Sequence, residues 1–143
     1  VFHFQLVSLS GKQFDEDVYE VILPTLDGEI GVLQDHMPLV SVARTGVIAV
    51  RRNPRDPDSQ RDYFATNGGA IEVENNTLRV LVDEADHADD INEAEVQKAL
   101  ERAQKMKAEA KDQISLEHAQ NLMDRQAVRL QVAGLRRQQH RKR

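Results

Sequence analysis

The chain has 143 residues, 40% hydrophobic and 30% charged, with 19 Lys+Arg against 24 Asp+Glu and no cysteine. That suits a charged globular protein of one ordinary domain or two small lobes, and it excludes disulfides, thiolate metal sites and cysteine nucleophiles. The apolar runs are too short to span a bilayer, and no charged leader with an apolar block and cleavage site opens the sequence, so a non-secreted chain is expected.

Charge and aromatic residues are segregated. Residues 1–88 carry 7 Lys+Arg against 15 Asp+Glu, a net of −8, whereas residues 89–143 carry 12 against 9, a net of +3. Every Phe and Tyr lies in the first part. Two units, 1–88 and 89–143, are therefore expected, with their boundary near Asp86–Asp90.

The first unit reads as strands. Phe2, Phe4 and Leu6 alternate with His3 and Gln5, the period of a half-buried strand. Val18–Leu23 is β-branched and aromatic and is expected to stop at Pro24; Asp27-Gly28 is turn chemistry. Pro38–Val42 and Val47–Val50 read as two short strands separated by Thr45-Gly46. Residues 52–61 hold two prolines and many charges, the composition of a solvated loop. Gly68-Gly69 and Gly28…Gly31 lack the spacing of phosphate-cradling loops and read as turns. Ala70–Glu74 and Thr77–Val82 flank Asn75-Asn76, a pair that tolerates the positive φ of a two-residue hairpin turn. Short strands with frequent turns predict an antiparallel sandwich or barrel.

The second unit reads as two helices of about 22 residues each. Asn92–Ile114 has no Pro or Gly, and Asn92 with Glu95 resembles a capping box. Val96, Ala99, Leu100, Ala103, Met106, Ala110 and Ile114 fall on one face. Asp112–Ser115 is a plausible turn, with Ser115 the expected cap of the second helix. There Leu116, Ala119, Met123, Ala127 and Leu130 form one strip, and Val128, Val132 and Leu135 form another. His118, Arg125, Arg129 and Arg136 lie between the strips. Two readings stay open: both strips are buried, one on the first helix and one on the sandwich, or the second strip and its cations serve an alternative partner. Ala and Met dominate these stripes, so the hairpin is expected to depend on what it docks against.

Sites for chemistry are missing from the sequence. His3, His36, His87, His118 and His140 are scattered without ligand spacing, so no metal is expected. The run Asp83–Asp90 lacks the glycine and closing glutamate of a calcium loop and reads as an acidic linker feeding a helix N-terminus. No nucleophile–base motif occurs, so catalysis by this chain alone is not expected. The basic end, residues 136–143, has no interleaved aromatics, and nucleic-acid binding is not expected.

The stretch Val21-Ile-Leu-Pro-Thr-Leu-Asp-Gly-Glu-Ile-Gly-Val-Leu-Gln-Asp-His-Met-Pro-Leu-Val40 resembles the signature of the bacterial and plastid epsilon subunits of F-type ATP synthase. Thr45-Gly-Val47, Asn67–Val73, Val80–Ala85 and Arg129–Ala133 follow in the family's order, so the resemblance covers almost the whole chain. It implies a β-sandwich of about ten strands followed by a helical hairpin. It implies a non-catalytic place in the rotating central stalk, with the gamma subunit and the c-subunit ring as partners. The work implied is coupling of ion translocation to ATP synthesis. The hairpin is implied to be mobile and, when extended, to restrain ATP hydrolysis by meeting the catalytic beta subunits. Peripheral attachment at the cytoplasmic face of the inner membrane, or at the stromal face of a plastid thylakoid, is implied, without direct insertion.

Carried over by position, Asp27, Gly28, Glu29, Gln34, Asp35 and His36 match the ring-facing turns. Arg125, Arg129 and Arg136 match the cations that meet the catalytic head. Ile91, Arg102, Arg125 and Arg129 match positions of a nucleotide site found in some members. That site uses a pattern like Ile-Asp-x-x-Arg-Ala, and here Ile91 is followed by Asn92, with Glu95 in place of the Arg and Val96 in place of the Ala. A carboxylate where a cation belongs repels a polyanion, so weak or absent ATP binding and no cofactor are expected. The rival reading from the residues alone is a free-standing sandwich-and-hairpin adaptor for an unrelated partner.

Overall fold

The computed structural model describes residues 1–142; Arg143, the last cation of the basic end, lies outside them. Eight strands are present among the described residues: β1 (Phe2–Ser8), β2 (Gly11–Val18), β3 (Glu20–Thr25), β4 (Gly28–Val32), β5 (Leu39–Arg51), β6 (Asp62–Glu74), β7 (Thr77–Val82) and β8 (Ala85–His87). Two helices follow, α1 (Glu93–Glu109) and α2 (Gln113–Lys142). The β-sandwich and helical hairpin are as expected from the sequence, with eight strands rather than about ten.

The strands form one sheet in the order β2-β1-β7-β6-β5-β3-β4, with β8 beside β6. β1 and β7 run parallel and the other pairs antiparallel. The sheet folds over on itself: Phe14 of β2 meets Phe64 of β6 edge to face at 5.9 Å, although two strands lie between theirs. Phe4, Leu6, Val21, Leu23, Ile48, Ile71, Leu78 and Val80 fill the space enclosed and are fully buried. In β1 the predicted alternation holds, with Phe2, Phe4 and Leu6 inward.

Two interruptions predicted from the sequence are continuous backbone. β5 runs through Thr45-Gly46 as a single strand of 13 residues. β6 likewise runs through Gly68-Gly69. Those glycines are not a turn but lie inside the strand, where Gly69 pairs with Ala43 of β5 and Val82 of β7. A Cβ on Gly69 would lie 1.9 Å from the Leu81 carbonyl oxygen, and Gly68 has φ +99°. Pro24 does not stop β3. It falls where the β3–β5 pairing slips, between Ile22 and Thr25, so its missing N–H breaks no ladder bond to β5. The Asn75-Asn76 turn is as predicted, both residues having positive φ.

β2 is an edge strand, and its charges are used. His3 on β1 lies between two of its carboxylates, with Nδ1 2.8 Å from Asp17 Oδ1 and Nε2 2.5 Å from Asp15 Oδ1. Two carboxylates can both accept only from an imidazolium. The Asp17 hydrogen bond, then that of Asp15, raises the His3 pKa above its ordinary 6.5. The His3 bond, then that of Lys12, lowers Asp15 from 3.8 to about 2. The His3 share of stability is thus complete below pH 6.5 and is lost as pH rises through the raised value; the Asp15 share is present above 3.8 and is lost as pH falls towards 2. The stability gap between wild type and His3→Gln, followed by thermal unfolding, is expected to be widest in mild acid and to narrow on both sides. A gap independent of pH would remove the imidazolium from the account.

The hairpin begins as predicted, with the Asn92 side chain accepting from the Glu95 backbone N–H. α1 ends earlier than expected, at Glu109, so Ile114 belongs to the first turn of α2, where it is 81% exposed. The cap of α2 is Asp112, whose Oδ1 accepts from Ser115 N at 2.7 Å; Ser115 is the donor rather than the cap. An ionised carboxylate at a helix N-terminus is a stronger acceptor than a hydroxyl. The helices are 17 and 30 residues long rather than about 22 each.

Candidate functional site

α2 lies along β6 and β5, and its docking buries both strips in part. Val132 is fully buried and, with Val128, packs on Ala65 and Ala88 beside Val47, Tyr63 and Ile91. Ala119 of the other strip is buried and Leu116 is exposed. This cluster is small beside the sandwich core, with three buried residues against eighteen.

Polar contacts run along the same seam. Arg125, Arg129 and Arg136 lie within about 40° of one another around α2 at 100° per residue. The sandwich meets them with Glu84, Asp86 and Asp89. Arg125 pairs with Glu84. Arg129 Nε lies 3.2 Å from Asp86 Oδ2, as an ion pair without hydrogen-bond alignment. Arg136 Nε donates to Asp89 Oδ1 at 2.6 Å, and Arg137 Nη1 to Glu93 Oε1 at 2.9 Å. The spacings match: two residues of extended chain, from Glu84 just before β8 to Asp86 within it, rise about 6.6 Å and four residues of helix about 6.0 Å, so these carboxylates face Arg125 and Arg129 in step.

Most of these side chains remain partly in water, so each pair contributes about 0.2–1 kcal/mol and weakens with salt. The seam orients the hairpin without fastening it strongly. His118, expected in the cation row, is exposed near the hairpin tip beside Met106 and Ser115.

A shallow recess opens on the seam, lined by Ala65, Thr66, Asn67, Glu84, Asp86, Arg125 and Arg129. Two of the four nucleotide-site positions, Arg125 and Arg129, come together there, already facing carboxylates. Arg102 is exposed on α1, and Ile91 packs in the apolar cluster under α2; neither lines the recess. Among the described residues no group of His, Asp and Glu is arranged to hold a metal ion.

The six ring-facing candidates lie in two groups, at opposite ends of β4. Asp27-Gly28 closes the β3–β4 hairpin, held by Thr25 Oγ1, which donates to the Gly28 carbonyl at 2.6 Å and accepts from Asp27 N at 3.2 Å. Glu29 follows on β4, exposed. Gln34, Asp35 and His36 lie past its other end, where Asp35 has φ +61° and its N–H donates to Asn76 Oδ1 at 2.9 Å. Asp27, Glu29, Gln34 and Asp35 are exposed.

A further surface was not singled out in the sequence. Val42, Ala70, Leu81 and Val7 lie side by side across β5, β6, β7 and β1 on the face turned away from the core. Val42 is 52% exposed, Leu81 47% and neighbouring Val40 83%. Val40 and Val42, two residues apart, share the outer face opposite inward Ala43, and because β5 is apolar on both faces its sequence shows no alternation that singles them out.

The chain resembles known proteins over most of its length. The family model for the β-sandwich domain of the ATP synthase delta/epsilon chain matches residues 1–88. The ATP synthase epsilon chain of Halalkalibacterium halodurans is 32% identical over 133 residues, covering 92% of this chain and 96% of that one. The ATP synthase epsilon chain of Synechocystis is 36% identical over 124 residues, covering 85% and 88%. A chain in the Euglena gracilis mitochondrial ATP synthase structure shares the fold, with a TM-score of 0.75 at 21% identity over 91% of this chain and 79% of that one. The free-standing adaptor reading is set aside by these matches. The chain belongs to the ATP synthase delta/epsilon family, as an epsilon chain of the F-type enzyme.

Proposed function

We propose that this epsilon chain is a non-catalytic rotor subunit whose sandwich joins gamma to the c-ring and whose hairpin restrains ATP hydrolysis. The observation that carries the regulatory half is the seam: the three arginines aligned on α2 are held by partly solvated carboxylates over a small apolar contact. Released, Arg125, Arg129 and Arg136 are free to meet acidic segments of the catalytic beta subunits. Docked, they are neutralised.

The gamma subunit is assigned to the row Val42, Ala70, Leu81 and Val7, because an apolar strip across four strands favours an equally apolar partner surface. The c-ring is assigned to Asp27, Gly28, Glu29, Gln34, Asp35 and His36, a largely polar group at the two ends of β4 suited to setting register against basic loops. Val42→Glu with Leu81→Glu is expected to reduce co-purification with gamma by tenfold or more, about the effect of burying unpaired charge at an interface. Undiminished recovery of gamma would move that interface elsewhere.

No helix among the described residues is long and apolar enough to cross a membrane, which supports peripheral attachment through these partners. The assignment is to the cytoplasmic face of the inner membrane or its plastid equivalent. ATP is not a tight regulatory ligand on this reading, since Glu84 and Asp86 already occupy Arg125 and Arg129 and Glu95 adds a further repelling carboxylate. Isothermal titration of the full chain with ATP is expected to show millimolar affinity or none; sub-millimolar binding would contradict it.

A further inference from the structure

The far end of α2 is held by a contact of a different kind. Gln139 is 4% exposed, in a segment of charged and polar residues. Its Nε2 donates to the backbone carbonyls of Asp58 and Arg61, both at 2.9 Å. Its Oε1 accepts from Arg136 Nη1 at 3.2 Å. The orientation of the amide is fixed by these partners, because carbonyls only accept and a guanidinium only donates.

The receiving carbonyls belong to the β5–β6 connection, read from sequence as a solvated loop. It is built rather than loose. Asp58–Gln60 forms a 3-10 turn. Arg51 donates to the Asp56 carbonyl and, at 2.7 Å, to Asp58 Oδ1. Glu20 lies 3.7 Å from Arg51 Nε and 3.5 Å from Arg61 Nη2, joining the loop to β3. The sandwich thus holds two carbonyls at a fixed separation where α2 ends.

We propose that Gln139 selects the docked position of α2 through a charge-neutral clasp, with the Asp58 and Arg61 carbonyls as its receptor. The ion pairs along the seam are interchangeable in kind: a carboxylate meets a guanidinium, and a slip of the helix by one turn can still pair Arg125 or Arg129 with an acid. The clasp has no such tolerance. It requires a side chain of this length bearing two amide hydrogens. Being buried and uncharged, it is also insensitive to salt, whereas the ion pairs are screened. The hairpin therefore has two holds of different kind, joined at Arg136, and the clasp decides register. This deepens the reading of the hairpin as a detachable arm and rests on it.

The test uses the full chain. It has no cysteine, so Arg55→Cys and Arg141→Cys, both exposed, accept spin labels uniquely, one on the loop and one near the end of α2. Pulsed dipolar spectroscopy then reads the docked fraction at low salt and at about 1 M, where the Debye length is about 3 Å. Gln139→Glu places a carboxylate against two carbonyl oxygens and is expected to lower the ratio of docked to undocked chains about tenfold or more at high salt, and somewhat less at low salt, where Arg136 still attracts the carboxylate. Gln139→Met, of similar length without donors, is expected to act in the same direction but less strongly, and reads the clasp should the glutamate disturb the fold. Glu84→Gln with Asp86→Asn is expected to lower the ratio at low salt and to match wild type at high salt. Undocking by that pair with both Gln139 variants unchanged would overturn the clasp and leave the detachable arm standing. Short distances in every variant at both salts would overturn both.

Discussion

Ending the chain after Asp90 is expected to leave a folded sandwich that still binds gamma and supports coupled ATP synthesis, while ATP hydrolysis by the assembled enzyme rises about fivefold or more, the range of ordinary regulatory coupling. The physical ground is the distribution of the core. The large buried side chains lie within β1–β7, and the sandwich closes through contacts such as Phe14–Phe64 that involve no helix. Truncation uncovers Ala65, Ala88, Val47 and Tyr63, a modest apolar area, and frees Glu84, Asp86 and Asp89, which are content in water. The cut falls beyond β8, so no strand pairing is lost. The helices supply no comparable core: the fully or largely buried apolar side chains of α1 and α2 are Val96, Ala103, Ala119, Val132 and Ala133. Gel filtration and circular dichroism of residues 1–90 read the first half of the prediction, and hydrolysis by the reconstituted head reads the second. An unfolded fragment, or unchanged hydrolysis, would tie the hairpin to stability and not to regulation.

The sequence speaks most clearly where one face of an element is wet and the other dry. β1 is such a strand, and Phe2, Phe4 and Leu6 announce it. β2 is hidden because only Phe14 and Val18 face the core while Lys12, Gln13, Asp15, Glu16 and Asp17 sit at the sheet edge. β5 misleads for the opposite reason: Val40 and Val42 are apolar on the outer face, and apolar residues on both faces erase the period. Gly68-Gly69 looks like a turn because the sequence cannot show the Leu81 carbonyl that excludes a side chain there. At the seam the alignment of Arg125, Arg129 and Arg136 is local helical geometry and is legible. Their partners lie 41 residues away for Arg125 and 47 for Arg136, a separation that only the fold closes. Gln139 is harder still, since nothing in its segment distinguishes it from Gln138; burial against a loop more than 70 residues earlier makes the difference.

The arginines have two sets of partners on this account, and changes on the two sides of the seam should therefore act with opposite signs. Replacing Arg125 and Arg129 with alanine removes both the docking pairs and the cations offered to the head. Hydrolysis is expected to rise towards the level of the truncated chain, with gamma attachment intact because neither residue is on the apolar row. Replacing Glu84 with Gln and Asp86 with Asn does the reverse. The cations persist but lose their partners on the sandwich, which shifts the balance towards the released hairpin by about two- to thirtyfold, the sum of two exposed ion pairs. Inhibition is then expected to deepen, most at low salt. A seam that served stability alone would give the two pairs of substitutions the same sign, because each breaks the same contacts.

The most direct measurement is the rate of ATP hydrolysis by the head assembled with wild type, with Arg125→Ala/Arg129→Ala and with Glu84→Gln/Asp86→Asn, at matched gamma occupancy and low salt. The account predicts faster hydrolysis for the arginine variant and slower for the carboxylate variant. Displacement of both in the same direction, or rates equal to wild type in both, would contradict it.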